Sequence, residues 1–212
     1  MIFLSAGIPS QTPIPGREFF GKGNIPAIRE AVMAFTKVCM DYKIPICFGG
    51  HPAISPLVYE IAKDYGDQFS KNVLIYQSEW FKGKTPQEVS YYDRLIWTHK
   101  EKDIPSSVDR MRHEMFSNKF VCGIFIGGMD GIISEAKEFH ESNPYADMIV
   151  VPNTGGAAQV LEERTKLTFQ RVPDTFAYVA EFKKILEKSL PTVQRCRLRR
   201  FRAHCLLPTS SG

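Results

Sequence analysis

Two glycine pairs in the sequence each follow an apolar run and precede a run with helical spacing. The first is Gly49-Gly50 in the segment CFGGHPAISPLV, and the second is Gly127-Gly128 in the segment GIFIGGMDGIISE. Glycine lets the backbone turn sharply and approach a ligand closely, and free N–H groups at a helix start favour an anion. Neither segment has the lysine of a Walker loop or the G-x-G-x-x-G spacing. The pairs therefore indicate an anion site, although a tight strand-to-helix turn would need the same glycines.

A carboxylate follows the second pair at a distance that could bring it to the same site. Glu135 lies four residues after Gly131, about one helical turn further on. A carboxylate there can accept hydrogen bonds from ribose hydroxyls, or stabilise the positive charge that develops at a sugar when a glycosidic bond breaks. The alternative is a structural role, because a glutamate early in a helix also interacts favourably with the helix dipole.

The ends of the expected strands supply the remaining candidates for ligand binding. In a parallel sheet the carboxyl ends of the strands share one edge, and ligands bind beyond that edge. His51 is a candidate for phosphate or ribose, Gln77 and Ser78 for a base or ribose, and Asp130 for ribose hydroxyls. Each of these side chains could instead serve only in packing or in a helix start. The predicted binding residues are Ser5, Ala6, Gly7, Gly49, Gly50, His51, Pro52, Ser55, Gln77, Ser78, Gly127, Gly128, Met129, Asp130, Gly131, Glu135, Thr154, Gly155 and Gly156.

Strand-like and helix-like segments alternate along the chain and must position these residues. The expected strands are the apolar runs MIFLS, IPICF, NVLIYQS, LIWT, FVCGIFI and ADMIVVP. The segments between most of them have apolar residues at helical spacing. This alternation predicts an α/β, Rossmann-like, doubly wound and mostly parallel sheet with helices on both faces. The polar loop at residues 81–93 is long enough to act as a lid or as a partner contact.

Capping residues predict where several of the helices begin and end. Asn24 is expected to cap the first helix, and Ser106 or Ser107 the helix that precedes FVCGIFI. The second helix is expected to continue as far as Gly66, because glycine commonly follows a helix end. The segment GGAAQVLEERTK is expected to form a helix, and PDTFAYVAEFKKILEKSL is expected to close the fold.

The positive net charge of the chain comes from its C-terminal segment. The chain carries +4 at neutral pH, and the five arginines from position 195 onward stand in a stretch without an acid. Without those five charges the remainder carries −1, which argues against nucleic-acid binding by the body. We therefore expect residues 1–190 to form one nucleotide-binding domain and residues 191–212 to form a basic, disordered tail.

Cysteine usage and hydropathy favour a cytoplasmic protein. The five cysteines are odd in number and form no CxxC pair, and three of them lie in apolar runs, so we expect them to be reduced. No His/Cys pair has the spacing of a metal site, so no metal is expected. No apolar run reaches the roughly 18 residues of a membrane helix. We interpret the opening MIFLS as a core strand rather than a signal peptide, and we expect no membrane partner.

The two glycine turns, taken in order, resemble those of the SLOG superfamily of Rossmann-like nucleotide-binding domains. This superfamily includes the LOG proteins and the Smf/DprA DNA-processing group. The resemblance is closest to stand-alone or TIR-associated SLOG proteins of bacterial conflict systems, whose strands end in similar GGHP and GGM-G turns. It covers about residues 1–188, while the arginine-rich tail lies outside it.

The resemblance also implies an enzymatic alternative. LOG enzymes cleave the N-glycosidic bond of nucleoside 5′-monophosphates and carry R-K-x-x-M followed by P-G-G-x-G-T-x-x-E. This chain keeps Met115 and Glu135, but Met111 stands where the family has its arginine, flanked by Arg110 and Arg112. If the chain is an enzyme, the resemblance implies Glu135 and Arg112 as its catalytic residues.

Three functions from different classes follow from these patterns. The first is binding or sensing of a nucleotide or NAD-derived ligand, such as an ADP-ribose-like signal, in bacterial defence or signalling. It is favoured because Ala53 and Pro56 replace two glycines of the enzymes' first turn. The second is a LOG-like phosphoribohydrolase, and the third is a nucleic-acid-associated Rossmann protein. The resemblance implies a TIR or other effector protein as a partner, and domains of this kind commonly form homodimers.

Overall fold

Seven strands form one sheet in the described part of the chain, residues 1–190 of a computed structural model. The predicted basic tail, residues 191–212, lies outside the described residues. The sheet order is β4-β3-β2-β1-β5-β6-β7, and every neighbouring pair is parallel, which confirms the predicted fold class. The strands are β1 (Ile2–Gly7), β2 (Ile46–Gly49), β3 (Val73–Ser78), β4 (Leu95–Thr98), β5 (Cys122–Gly127), β6 (Asp147–Val151) and β7 (Gln170–Arg171).

Helices cover both faces of this sheet, so the side chains of each strand point alternately into two apolar layers. On one face Phe35 of α1 and Phe182 of α7 meet edge to face at 5.6 Å between ring centroids. On the other face Phe3 of β1 stacks on Phe139 of α5 at 5.1 Å. The helices are α1 (Ile25–Asp41), α2 (Ser55–Ala62), α3 (Asp67–Asn72), α4 (Ile104–Phe116), α5 (Asp130–Ser142), α6 (Leu161–Thr165) and α7 (Tyr178–Ser189).

Strand β1 lies at the point where the strand order reverses. From β1 the chain builds outward through β2, β3 and β4, then crosses back and continues from the other side of β1 through β5, β6 and β7. The register pairs Ser5 with Phe125 and Gly7 with Gly127. Loops after β1 and β5 therefore leave in opposite directions and open a crevice, where ligands of doubly wound folds bind.

Several predicted helix boundaries were wrong. The cap of α4 is Asp103, whose carboxylate accepts from the backbone N–H of Ser106 at 2.8 Å, so the helix begins before either predicted serine. Ser107 instead donates its hydroxyl to the Asp103 carbonyl at 2.6 Å. Helix α2 ends at Ala62 and does not continue to Gly66, because a 3-10 turn over Lys63–Tyr65 intervenes. Asn24 caps α1 as predicted, accepting from the N–H of Ala27 at 3.2 Å.

The segment GGAAQVLEERTK forms a 3-10 turn over Gly156–Val160 and only the short helix α6. Its start is held away from α-helical geometry, because Gly155 and Gly156 have φ values of 69° and 61°. Sequence analysis also missed α3 and β7; β7 spans two residues and is too short to show a period. Within residues 1–190, no helix has both the length and the apolarity to cross a bilayer.

Backbone hydrogen bonds tie together the turns after β1, β5 and β6. The N–H of Gly128 donates to the carbonyl of Gly7 at 2.7 Å, and the N–H of Ala157 donates to the carbonyl of Gly128 at 3.0 Å. The N–H of Gly156 donates to the carbonyl of Lys22 at 2.9 Å. These bonds hold the carboxyl ends of the three strands close together.

Replacing Gly156 by alanine is expected to destabilise the fold strongly. A Cβ there would lie 2.4 Å from the carbonyl oxygen of Gly128, which is backbone and has little room to move. Alanine in left-handed geometry costs ~1–2 kcal/mol, and the overlap adds ~1–3 kcal/mol. Gly21 is a matched control, because its φ is 65° and a Cβ there would meet nothing within 4 Å. Urea unfolding should show a larger loss for Gly156→Ala, and equal losses for the two variants would contradict this packing.

Candidate functional site

A cavity of about 270 Å³ lies at the carboxyl ends of β1, β2 and β3, beside the point where the strand order reverses. Its walls come from these strand ends, from α4 and α5, and from the loop after β3. The predicted binding residues that line it are Ser5, Ala6, Gly49, Gly50, His51, Pro52, Gln77 and Glu135. The structure therefore brings together predicted residues from the ends of β1, β2 and β3 and from α5.

Glu135 of α5 reaches across to β1. Its Oε2 accepts a hydrogen bond from the hydroxyl of Ser5 at 2.5 Å, although the two residues are 130 positions apart in the sequence. Its Oε1 lies 3.4 Å from Nη2 of Arg112, and this nitrogen also donates to the carbonyl of Gly131 at 3.3 Å. A carboxylate has about four lone-pair sites, so Glu135 keeps acceptor capacity for a ligand.

Arg112 lies behind Glu135 and does not line the cavity. Its guanidinium is mostly buried, and its Nη1 lies 3.5 Å from the carboxylates of both Asp109 and Glu138. Burial raises the pKa of Glu138, and the positive charge of Arg112 opposes that shift. The neighbouring Met111 forms part of the cavity wall instead. Arg112 is therefore paired with protein carboxylates. Met111, at the position where the LOG pattern has its arginine, presents an apolar side chain to the cavity.

His51 presents a hydrogen-bond donor to the cavity. Its Nδ1 accepts from the N–H of Ala53 at 3.1 Å, so the proton of the neutral imidazole is on Nε2. Burial lowers the pKa of His51, and attraction to Glu135 opposes this shift in part. The ring is thus neutral at neutral pH. A Cβ at Gly7 would lie 3.6 Å from Nε2 and 3.2 Å from the Cα of Gly128, so glycine leaves room at this crowded point.

Other predicted binding residues have structural roles and lie outside the cavity lining. Ser55, Ser78 and Thr154 are buried. The hydroxyl of Ser55 accepts from the N–H of His51 at 3.2 Å, and that of Ser78 accepts from the N–H of Trp80 at 3.2 Å. The hydroxyl of Thr154 donates to the carbonyl of Val151 at 2.5 Å. Gly7, Gly127, Gly128, Met129, Asp130, Gly131, Gly155 and Gly156 also lie outside the lining.

The glycine turns use many of their backbone donors internally. The N–H of Gly127 donates to the hydroxyl of Thr154 at 2.9 Å, and the N–H of Gly50 donates to the carbonyl of Tyr76 at 2.7 Å. The N–H groups of Gly128, Gly155 and Gly156 likewise have backbone acceptors. These glycines hold the strand ends together, and the charged groups of the cavity lining are the side chains of Lys84 and Glu135.

The loop after β3 supplies wall residues that sequence analysis did not single out. Phe81, Lys84, Thr85 and Pro86 line the cavity, and α4 adds Val108 beside Met111. Among the described residues of the lining, Lys84 is the one lysine or arginine. The signal for this part of the site was the length and polarity of the loop at residues 81–93. The sequence gives no such signal for Val108, because its spacing in α4 is that of a core residue.

A fully parallel sheet with a reversal of strand order and a ligand-sized cavity beside it defines a Rossmann-like α/β domain. The sequence model of the SLOG cluster3 family matches residues 18–186, so the chain belongs to this family. Membership indicates a nucleotide-related binding or processing role, and it confirms the SLOG resemblance that the glycine turns suggested. No curated protein matches the chain significantly.

The buried neutral state of His51 predicts a specific pH dependence of stability. Because burial lowers its folded-state pKa below the ordinary value of about 6.5, the unfolded chain takes up the proton first as pH falls. The contribution of His51 to stability is fully present above the ordinary pKa of about 6.5. It is lost as the pH falls from there towards the lower pKa of the folded state. His51→Asn should therefore lose less unfolding free energy than the wild type between about pH 7.5 and about pH 5.5.

The asparagine variant preserves the local turn, because an Asx side chain can accept from an N–H two residues on. His113→Asn is the matched control, since His113 is exposed on α4. Denaturant unfolding at both pH values measures the effect. If His51→Asn follows the wild-type pH dependence as closely as the control does, His51 is not held neutral in the folded state.

Proposed function

We propose that this chain binds a nucleotide or NAD-derived ligand, such as an ADP-ribose-like molecule, in the cavity beside β1. The observation that carries the proposal is the Glu135 carboxylate, which faces this cavity and is held by the Ser5 hydroxyl at 2.5 Å. A fixed carboxylate beside a neutral N–H donor suits the hydroxyls of a ribose. Membership of the SLOG cluster3 family supports the same class of ligand.

The remaining walls fit the other parts of such a ligand. Phe81, Val108 and Met111 offer apolar surface for a base, and the exposed Lys84 offers positive charge for a phosphate. Pockets for drug-sized ligands measure roughly 300–1,000 Å³, and this cavity of about 270 Å³ is just below that range. It therefore suits a mononucleotide or one half of a dinucleotide.

The proposed role is that of a cytoplasmic sensor in a bacterial defence or signalling system, with a TIR or other effector protein on another chain. The free, buried thiols of Cys39, Cys47 and Cys122 are compatible with a reducing compartment. The sensing role follows from the resemblance of the glycine turns to conflict-system proteins. In this role ligand binding need not be followed by turnover.

A LOG-like phosphoribohydrolase is the second candidate, and the contact between Arg112 and Glu135 at 3.4 Å favours it. A phosphoribohydrolase needs a cation on the phosphate and a carboxylate at the ribose. The guanidinium of Arg112 is instead surrounded by protein carboxylates, and Met111 occupies the cavity wall. We therefore rank ligand binding above catalysis.

A nucleotide panel with Glu135→Gln separates the two functions. Thermal shift with AMP, ADP-ribose, cyclic ADP-ribose and NAD measures binding, and chromatography measures release of the base. We expect stabilisation of the wild type without base release. Glu135→Gln should bind its ligand about 10- to 100-fold more weakly, because a hydrogen bond to a charged acceptor contributes ~1.5–3 kcal/mol. Glu138→Gln is the control, since Glu138 also contacts Arg112 but lies outside the cavity lining.

Each other outcome of this panel selects a different conclusion. Base release by the wild type that Glu135→Gln abolishes would establish the enzymatic candidate. The absence of a thermal shift with every ligand, and of base release, would contradict both candidates. Equal weakening by Glu135→Gln and Glu138→Gln would show that the carboxylate acts only through the structure of α5.

Lys84→Gln should weaken binding of phosphate-bearing ligands selectively. Because Lys84 is exposed, its loss should weaken AMP binding only about 2- to 5-fold and leave adenosine binding unchanged. Lys82→Gln is the control, because Lys82 is in the same loop but pairs with Glu79 at 2.8 Å and does not line the cavity. Isothermal titration of both ligands at low salt measures the difference. Equal loss of adenosine affinity would rule out a phosphate contact.

A further inference from the structure

The side-chain amide of Gln77 lies in the cavity wall without a hydrogen-bond partner among residues 1–190. Gln77 is 4% exposed, and its amide makes no hydrogen bond to another of residues 1–190. The polar atoms of this amide keep accessible surface, so the amide is open to a ligand in the cavity. By contrast, the buried hydroxyls of Ser5, Ser55, Ser78 and Thr154 each have a protein partner.

The backbone of the first glycine pair makes room for this amide. A Cβ at Gly50 would lie 2.8 Å from Nε2 and 2.9 Å from Cδ of Gln77, so the amide lies flat against the glycine. The N–H of Gly50 is already bonded to the carbonyl of Tyr76, and it therefore cannot satisfy the amide oxygen. The remaining neighbour of the amide is the cavity itself.

An amide presents one acceptor and a pair of donors in a single plane. Its natural complement is a planar group with a donor beside an acceptor, as on the edge of a nucleobase. Adenine offers this pair on two edges, through N6 with N1 and through N6 with N7. Guanine and hypoxanthine have two acceptors, O6 and N7, on the second of these edges. Adenine is therefore the purine that can pair with a glutamine amide on either edge.

We propose that Gln77 selects an adenine-containing ligand by pairing its amide with the N6 edge of the base. This inference rests on the proposed function and assigns the base end of the same cavity. Phe81, Val108 and Met111 form apolar walls for the base, and Glu135 and Lys84 remain for the ribose and the phosphate. Gln77 is thus a specificity-determining residue that contacts the ligand.

The test combines one substitution in the protein with one change in the ligand and compares the four affinities. Isothermal titration compares AMP with purine riboside 5′-monophosphate, which lacks the 6-amino group, on the wild type and on Gln77→Leu. The wild type should prefer AMP by about 5- to 100-fold, as good base pairs with glutamine do. The variant should bind both ligands with similar affinity. Gly50→Ala, which displaces the amide without removing it, should also lower the preference.

The stability of the ligand-free variant provides an independent readout. Because the Gln77 amide makes no hydrogen bond to another of residues 1–190, Gln77→Leu breaks none, and its melting temperature should stay close to that of the wild type. A loss of AMP binding in a well-folded Gln77→Leu then reports recognition rather than unfolding. A melting temperature well below that of the wild type would contradict the unpaired amide and overturn the inference.

The outcomes separate this inference from the proposed function. If the wild type binds AMP and purine riboside 5′-monophosphate equally, or prefers GMP, adenine selection is wrong while nucleotide binding stands. If Gln77→Leu keeps the wild-type preference, the selecting group is not Gln77. If the wild type binds no nucleotide, the proposed function fails and this inference fails with it.

Discussion

The close approach of the backbone turns after β1, β5 and β6 is the constraint on which the site depends. The N–H of Gly128 donates to the carbonyl of Gly7 at 2.7 Å, and its own carbonyl accepts from Ala157 at 3.0 Å. Gly128 has a φ of 73°, and a Cβ there would lie 2.5 Å from Cγ1 of Ile132, so this position favours glycine. This contact holds α5 beside β1, and the Glu135 carboxylate can therefore meet the Ser5 hydroxyl.

The same constraint determines how the cavity acquires its charge. Backbone donors of the glycine turns are used to join the strand ends, so side chains from separate elements carry the polar groups of the cavity. Glu135 comes from α5, His51 from the turn after β2, and Lys84 from the loop after β3. Arg112 balances the carboxylates of α4 and α5 from behind. A carboxylate, a neutral donor and a lysine thus surround mainly apolar walls.

The sequence predicted the sheet and the edge at which the cavity forms. Strand β5 is buried along its whole length, and such strands are continuous apolar runs that sequence alone can identify. Ser5, His51 and Gln77 lie at or just after the ends of such runs and Glu135 lies in α5, and all four line one cavity. The assignment of roles to these residues stays a prediction.

Other features depended on tertiary contacts that no local pattern encodes. Val108 and Met111 have the spacing of core residues, and only the packing of α4 over the strand ends makes them cavity walls. The prediction that Ser106 or Ser107 caps α4 was wrong. The helix begins just before Pro105 with Asp103 as its cap, and its first turn includes both serines. The hydrogen bonds within the glycine turns likewise depend on three turns meeting in space.

In this site the backbone of the turns joins the strand ends, and side chains supply the charged groups of the cavity. This separation affects which substitutions the cavity can accept. In a phosphate site made of backbone N–H groups, the positions of the donors depend on the backbone conformation. Changing such a site therefore requires a change in the conformation of the turn. Here the charged groups that line the cavity are side chains, while Gly7, Gly128 and Gly156 allow the close approach of the turns. Under the proposed function, substitutions at Gln77 or Lys84 would change the groups offered to a ligand while the glycine turns keep their internal hydrogen bonds.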